Sequence, residues 1–195
     1  VESVLDVAQA VNGPVYVRML RGEIPRLFDR NDPMRLGKAR VLSQGSDIAL
    51  ISAGICTEEA MRATRALREH GVSIEHLHIT THKPFTDPAV LEAVAKARYG
   101  VITMENHTIV GGLGSAVAEL MAEAGLGKRL VRIGLKDTYV HGASRSYLMR
   151  EYGLDAIALV AEVEKLVGQR LGITDADLAA VRLEAVHSSA KAEAL

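Results

Sequence analysis

The residues best placed to do chemistry lie in the stretch 99–125, where three polar side chains follow an apolar run and precede a glycine-rich turn. Glu105, Asn106 and His107 come directly after the apolar run, and the turn occupies residues 111–115. Because a helix N-terminus offers free amide groups and a partial positive charge, such a turn could receive a phosphate. Its glycine spacing matches neither a dinucleotide-binding fingerprint nor a Walker loop, and Glu105 would repel an anion. The pattern therefore favours structural packing of the turn over phosphate binding.

The histidines are the second group of candidates. His76 and His78 alternate, so they share one face of a predicted strand. Metal ligation would need a third ligand and an open position, and the sequence has neither an HExxH motif nor a cysteine pair. We therefore expect strand-surface or interface histidines. His82, where a strand's carboxyl end meets a loop, is the histidine best placed for a functional role.

Nucleophilic catalysis has one thiol candidate, Cys56, which lies between a predicted strand end and a predicted helix start. That position could lower the pKa of a thiol. Because no base can be paired with it from the sequence, a buried and inert thiol is the favoured interpretation. Ser46, Ser52 and Ser115 lack the GxSxG pattern of a nucleophile elbow.

Two arginines, Arg18 and Arg21, lie within and just after a strand predicted at 15–20. An arginine beyond a strand end can hold a phosphate with two parallel hydrogen bonds, and it keeps its charge at any physiological pH. The alternative is that both are surface cations beside acidic neighbours. Spacing alone leaves the two interpretations open.

An alternation of strands and helices is predicted to position these residues. Apolar runs predict strands at 39–43, 48–53, 72–79, 101–104 and 130–135, and periodic patterns predict helices at 57–70, 88–97, 113–124, 144–152 and 155–171. Thr57 and Asp87 are predicted N-caps, and the short turn 44–47 predicts an antiparallel hairpin. The alternation implies a mostly parallel sheet with helices on both sides.

Composition divides the chain into four predicted segments: the end of one domain at 1–22, a linker at 23–38, a main domain at 39–173, and a C-terminal helix and tail at 174–195. The first segment carries a helical stripe from Val4 and a strand from Val15. This pair cannot bury itself alone, so we expect an earlier part of that domain upstream of Val1. Thr174 and Asp175 predict the start of a last helix, to about Val186.

The bulk properties exclude several classes of function. A net charge of −1 gives no global reason to expect nucleic acid or an anionic membrane as a partner. Cys56 is the only cysteine, so no intrachain disulfide can form, and a reducing cytoplasm is the favoured location. No apolar run approaches the roughly 20 residues that a bilayer-spanning helix needs.

Three segments, GKARVLSQGSDIALISAG, HKPFTDPAVLEAVAKA and VITMENHTIVGGLGSAVAEL, together resemble the C-terminal domain of transketolases. GPVYVRMLRGEIP resembles the final strand and exit loop of that family's pyrimidine-binding domain. The resemblance runs from about Val1 to Leu171, and it is nearer to split bacterial transketolases and to 1-deoxyxylulose-5-phosphate synthase than to long eukaryotic enzymes. It implies a three-layer αβα fold with a mostly parallel five-stranded sheet and one antiparallel strand, preceded by a remnant of the pyrimidine-binding domain.

The same resemblance implies a thiamine-diphosphate enzyme that transfers a two-carbon ketol unit between sugar phosphates. In the family, the cofactor and its divalent metal, Mg²⁺ or Ca²⁺, bind outside the matching segment, so we expect no catalytic residue here and no activity of this segment alone. The implied partner is a cofactor-binding subunit or domain, in a homodimer or a heterotetramer. Arg21 fits the family arginine that holds the substrate phosphate, and Arg18 fits the first arginine of the synthase-like version.

Two other functions stay open at this point. One is a 1-deoxyxylulose-5-phosphate synthase, which condenses pyruvate with glyceraldehyde 3-phosphate. The other, from a different class, is a non-catalytic α/β domain that serves oligomerisation or regulation. An oxo-acid dehydrogenase subunit is more distant, because an arginine at the phosphate position argues against it.

Overall fold

The computed structural model describes residues 2–18, 26–29, 31–181 and 183. The chain divides into two compact units, one that includes the described residues up to Leu36 and one that runs from Gly37 to Arg182. In the first unit, helix α1 spans Glu2–Ala10, as the apolar stripe predicts. The strand predicted from Val15 is absent over residues 15–18, which are exposed and have no strand partner; its remainder lies outside the described residues.

The second unit is built on one five-stranded sheet. Its strands are β1 (Arg40–Ser43), β2 (Ile48–Ser52), β3 (Ile74–His78), β4 (Gly100–Thr108) and β5 (Leu130–Leu135), in the spatial order β1-β3-β2-β4-β5. Strands β2 to β5 run parallel, and β1 pairs antiparallel with β3. The predicted mostly parallel sheet with one antiparallel strand is confirmed.

The predicted hairpin between β1 and β2 is wrong. Both edges of β2 are occupied by parallel partners, β3 on one side and β4 on the other. Strand β1 therefore pairs with the free edge of β3. The turn between β1 and β2 passes the start of β3, where the Ser73 carbonyl accepts a hydrogen bond from the Asp47 amide at 3.1 Å. A side chain at Gly45 would collide there, because its Cβ would lie 2.5 Å from the Ile74 backbone.

Helices cover both faces of the sheet. They are α2 (Cys56–Glu69), α3 (Pro88–Lys96), α4 (Leu113–Glu123), α5 (Arg145–Glu151), α6 (Ala156–Val167) and α7 (Asp175–Ala180). Alternate residues of β2 enter opposite cores: Leu50 packs with residues of α2 and α6, whereas Ile51 packs with residues of α3 and α4. The three-layer αβα architecture is therefore confirmed for this unit. None of the described helices has the length and apolarity to cross a membrane.

Side-chain caps set most of these helix starts. Asp87 caps α3, with Pro88 as the first helical residue, as predicted. Thr174 caps α7, also as predicted, although this helix ends at Ala180 rather than near Val186. The predicted cap at Thr57 is wrong: α2 begins at Cys56, with Ile55 at the N-cap and no side-chain capping bond. The Thr57 hydroxyl instead forms hydrogen bonds with the side chains of Ser52 and His78.

Candidate functional site

The glycine-rich turn before α4 is closed by a carboxylate from the chain itself. Glu105 is only 3% exposed, and its two oxygens accept hydrogen bonds from the backbone amides of Leu113 at 2.7 Å and Gly114 at 2.8 Å. These are amides of the first turn of α4, which would otherwise lack partners. The negative charge also lies at the positive end of the helix. An intramolecular anion therefore occupies the place that a phosphate would take.

Glu105 reaches this position because β4 continues past the predicted strand end at Met104. The strand runs to Thr108, with an irregular register against β5 between Met104 and Thr108. The prediction that the polar residues follow the strand is therefore wrong, since 105–108 belong to it. The irregular segment carries the Glu105 side chain into the protein, whereas Asn106 and His107 are exposed.

The glycines around Glu105 are explained by packing. A Cβ at Gly112 would overlap the Glu105 carboxylate and lie 2.6 Å from the Thr108 carbonyl oxygen. A Cβ at Gly134 of β5 would lie 3.2 Å from Cγ of Glu105. Because the absent side chains leave room for this carboxylate, the favoured interpretation of the turn, packing rather than phosphate binding, agrees with the geometry.

Four polar side chains form a second internal arrangement between the sheet and α2. Nε2 of His76 lies 2.8 Å from Oγ of Ser52, which lies 2.9 Å from Oγ1 of Thr57, which in turn lies 2.8 Å from Nδ1 of His78. Parallel pairing of β2 with β3 brings these groups together, because Leu50 lies opposite His76 and Ser52 opposite His78. We call this set the hydroxyl–imidazole chain.

Burial keeps both imidazoles of this chain neutral. His76 is fully buried, and burial, with a smaller contribution from the nearby His78, lowers its pKa to about 3. Burial also lowers the pKa of His78 to about 4, with further contributions from Arg40 and His82. The expectation of strand-surface histidines is therefore wrong for His76. The Ser52–His76 pair resembles a nucleophile and base only in its distance, since both groups are 0% exposed and no substrate reaches them.

Cys56 is the buried, inert thiol that the sequence favours. It is 0% exposed, and burial, reinforced by the charges of Glu105 and Glu59, raises its pKa to about 12. The helix start next to it does not lower the pKa of the thiol, because desolvation and two acidic neighbours outweigh the helix dipole.

The other histidines are dispersed. His70 bonds the Ala66 carbonyl at 2.8 Å, and His107 bonds the carbonyl of Thr108 at 3.0 Å. His82 and His141 are exposed, and His187 lies outside the described residues. Within the described ranges, no group of three or more His, Cys, Asp or Glu side chains could hold a metal ion.

A cavity of about 180 Å³ lies where α2, α5 and α6 meet, and its charged lining is already paired. The Glu58 carboxylate accepts from Arg62 at 2.7 Å and lies 3.2 Å from a guanidinium nitrogen of Arg145. Glu59 accepts from the first amide of α6 at 3.0 Å, and Asp155 pairs with Arg150 at 2.7 Å. This cluster was not predicted from the sequence, where the i,i+4 spacing of Glu58 and Arg62 was the available signal.

The two phosphate-binding candidates belong to the first unit. Arg18 is exposed in the irregular segment after α1. Arg21 lies outside the described residues, so its role stays a prediction.

Comparison with known proteins identifies the class to which this fold belongs. The family model described as "Transketolase, C-terminal domain" matches residues 37–159, which is most of the second unit. The chain therefore belongs to the transketolase C-terminal domain family. A solved structure described as a split gene transketolase, inactive beta4 tetramer, superposes with a TM-score of 0.76 at 32% identity, covering 85% of this chain and 54% of that one.

Two curated relatives are more specific in name. The 6-deoxy-6-sulfo-D-fructose transketolase subunit SqwH of Clostridium sp. (strain MSTE9) is 36% identical over 161 residues, covering 83% of this chain and 49% of its own length. The 1-deoxy-D-xylulose-5-phosphate synthase of Chlorobium phaeovibrioides is 35% identical over 158 residues, covering 78% of this chain and 24% of its own. A protein of Methanocaldococcus jannaschii named as a putative transketolase C-terminal section is 35% identical over 164 residues, covering 83% of this chain and 51% of its own length. The chain therefore spans about half the length of these two relatives named as a transketolase section or subunit.

Proposed function

We propose that this chain is the C-terminal part of a thiamine-diphosphate-dependent transketolase that transfers a two-carbon ketol unit between sugar phosphates. The observation that carries the proposal is the family match over residues 37–159, together with a relative of 36% identity that is named as a transketolase subunit. In this proposal, residues 1–22 complete a pyrimidine-binding domain, 23–38 form a linker, and 39–173 form the C-terminal domain.

The described residues do not fit the cofactor or its metal. The one glycine-rich helix start is filled by the Glu105 carboxylate, and the part of the chain described here has no cluster of metal-ligating side chains. We therefore place thiamine diphosphate and its divalent metal in another subunit or domain. The contribution of this chain is to hold the substrate and to complete the assembly.

Arg21 and Arg18 are the proposed substrate-holding groups. A guanidinium stays charged and presents its N–H donors in a fork that matches the oxygens of a tetrahedral anion. The exposure of Arg18 is compatible with this role. A phosphate and a sulfonate share this oxygen geometry, so the same arginine pair would accept the sulfonated sugar named in one relative as well as a sugar phosphate.

The proposed partner is a cofactor-binding transketolase subunit or domain, in a homodimer or a heterotetramer. One relative is named as a subunit, and the solved neighbour is described as an inactive tetramer of beta chains. Both descriptions support our expectation that this chain is inactive by itself.

The proposal is tested by assaying ketol transfer with the complete chain and its cofactor-binding partner. Donors are a ketose phosphate and 6-deoxy-6-sulfofructose, and the acceptor is an aldose phosphate. We expect transfer only when both proteins are present, with each protein alone as the control. Absence of transfer from every donor, in a complex that binds thiamine diphosphate, would contradict the proposal.

A second candidate is a 1-deoxyxylulose-5-phosphate synthase, which the relative of that name at 35% identity favours. Pyruvate and glyceraldehyde 3-phosphate, supplied to the same complex, separate the two reactions, because only the synthase releases carbon dioxide from pyruvate. A non-catalytic role predicts instead that the chain purifies without any cofactor-binding partner.

A further inference from the structure

We propose that the hydroxyl–imidazole chain is a polarised hydrogen-bond chain that runs in one direction, from His76 through Ser52 and Thr57 to His78. This direction fixes both imidazoles as the tautomer that carries its proton on Nε2. The chain fastens the start of α2, which has no side-chain cap, to the two strands beneath it.

The number of protons restricts the chain to two arrangements. Its three contacts, at 2.8, 2.9 and 2.8 Å, need three donated protons. The Ser52 and Thr57 hydroxyls supply one each. The third comes from one imidazole, either from Nε2 of His76 or from Nδ1 of His78, because donation by both rings would leave one buried hydroxyl proton without an acceptor among these contacts. All three bonds therefore point the same way, and one end ring donates while the other accepts.

The environment of His76 selects between them. Nδ1 of His76 is buried and has no hydrogen-bond partner among the described residues. If His78 were the donor, His76 would accept at Nε2 and would carry a buried proton without a partner on Nδ1. If His76 donates from Nε2, the unpartnered Nδ1 is a bare acceptor. Buried N–H groups without partners are rarer than under-satisfied acceptors, so donation from His76 is favoured.

In this arrangement, protonation of His78 at low pH breaks the hydrogen-bond chain. Its Nδ1 accepts from Thr57, so a proton on Nδ1 removes that bond and leaves the Thr57 hydroxyl proton without its acceptor. Ser52 can still donate to Thr57, because a hydroxyl oxygen accepts two hydrogen bonds, and His76 keeps its proton on Nε2. The charged and titratable groups acting on the rings are Arg40 of β1 and His82 at His78, and His78 at His76. All of these are basic, so none favours a protonated ring.

The test is nitrogen-15 NMR of the complete chain at pH 7, with long-range couplings that report the protonated nitrogen of each ring. We expect both His76 and His78 to carry the proton on Nε2. Both rings protonated on Nδ1 would mean that the chain runs in the opposite direction and would overturn the proposal. A mixture of tautomers at His76 would overturn it as well, because a polarised chain allows only one.

A pair of matched variants tests whether the contacts form one chain. Thr57→Val removes the donor to His78, so we expect the Nδ1 resonance of His78 to move toward that of an unbonded acceptor and its protonation to begin at higher pH. Thr64→Val is the control, since Thr64 is buried in the same helix and its hydroxyl has no partner among the described residues. Equal behaviour of His78 in the two variants would contradict the proposal. If Thr57→Val does not fold, the tautomers of His76 and His78 in the unaltered chain still test the proposal.

Discussion

The carboxylate of Glu105 lies 2.7 Å from the backbone nitrogen of Leu113, the first residue of α4. This bond joins the end of β4 to the start of the following helix across the glycine-rich turn. A charged acceptor at a helix N-terminus gains from both the hydrogen bond and the helix dipole. The glycine-rich turn, which was the first candidate for ligand binding in the sequence, is therefore held by the Glu105 carboxylate. This carboxylate stabilises the unit rather than binding a ligand.

Replacing Glu105 by Gln should destabilise the second unit. Gln keeps the shape of the side chain, but it loses the charge and turns an amide group toward a backbone donor. We expect a loss of about 1.5–3 kcal/mol in the free energy of unfolding, the range for a hydrogen bond to a charged group. Urea denaturation of the complete chain measures it. Glu119→Gln, on the exposed side of α4, is the control and should change stability by less than about 0.5 kcal/mol.

Replacing Gly112 by Ala tests the space around the same carboxylate. The added methyl group would overlap Glu105 and approach the Thr108 carbonyl oxygen at 2.6 Å, so backbone must move. Overpacking of this kind costs about 1–3 kcal/mol. Gly127→Ala is the matched control, because no atom lies within 4 Å of the position its Cβ would take. Equal melting temperatures for the two variants would contradict this account of the turn.

The strands and helix starts were predictable where the signal is local. Asp87 and Pro88 correctly predict the start of α3. The apolar run at 130–135 predicts the observed bounds of β5. The hairpin prediction failed because the choice of partner for β1 depends on which strand edges remain free. That is decided by residues more than thirty positions away, in β3 and β4.

The internal polar contacts were less accessible to sequence reasoning. Ser52 and His76 are 24 residues apart, and they meet only because β2 and β3 pair in parallel with a particular register. The role of Glu105 depended on the extension of β4 past Met104, for which the polar run 105–108 gave the opposite indication. Composition identifies such residues as unusual, but the register decides what they contact.

Acid should weaken the second unit through the histidines of the hydroxyl–imidazole chain. The folded-state pKa values of His76 and His78, about 3 and about 4, lie below the ordinary value of 6.5, so the unfolded chain takes up protons first as pH falls. Their contribution is fully present above pH 6.5 and declines as pH falls from there toward the folded-state values.

Urea denaturation at pH 7.5 and pH 4.5 measures this decline. Because carboxylates also titrate between these values, the informative comparison is between variants. His78→Gln should reduce the difference in unfolding free energy between the two pH values. His107→Gln, at an exposed position on β4, should leave that difference as it is in the unaltered chain.

Removing the Thr57 hydroxyl should cost more stability than removing that of Thr64. Both residues are buried in α2, but Thr57 contacts Ser52 and His78, whereas the Thr64 hydroxyl has no partner among the described residues. We expect Thr57→Val to lower the free energy of unfolding by about 1–3 kcal/mol, because it leaves buried partners unsatisfied. Thr64→Val should be neutral or stabilising. If chemical denaturation gave equal losses in unfolding free energy for the two variants, packing alone would determine the stability contribution of both threonines.

Replacing Arg21 by Ala in the complete enzyme should chiefly raise the KM for phosphorylated sugars. The lost guanidinium leaves the substrate anion without its charged partner, which costs about 2–5 kcal/mol when the contact is buried and much less at a rim. Steady-state kinetics with a phosphorylated donor and its unphosphorylated analogue measure the effect, which should fall on the phosphorylated donor alone. Arg170→Ala, at an exposed position after α6, is the control. An unchanged KM for Arg21→Ala would remove this residue from the proposed site.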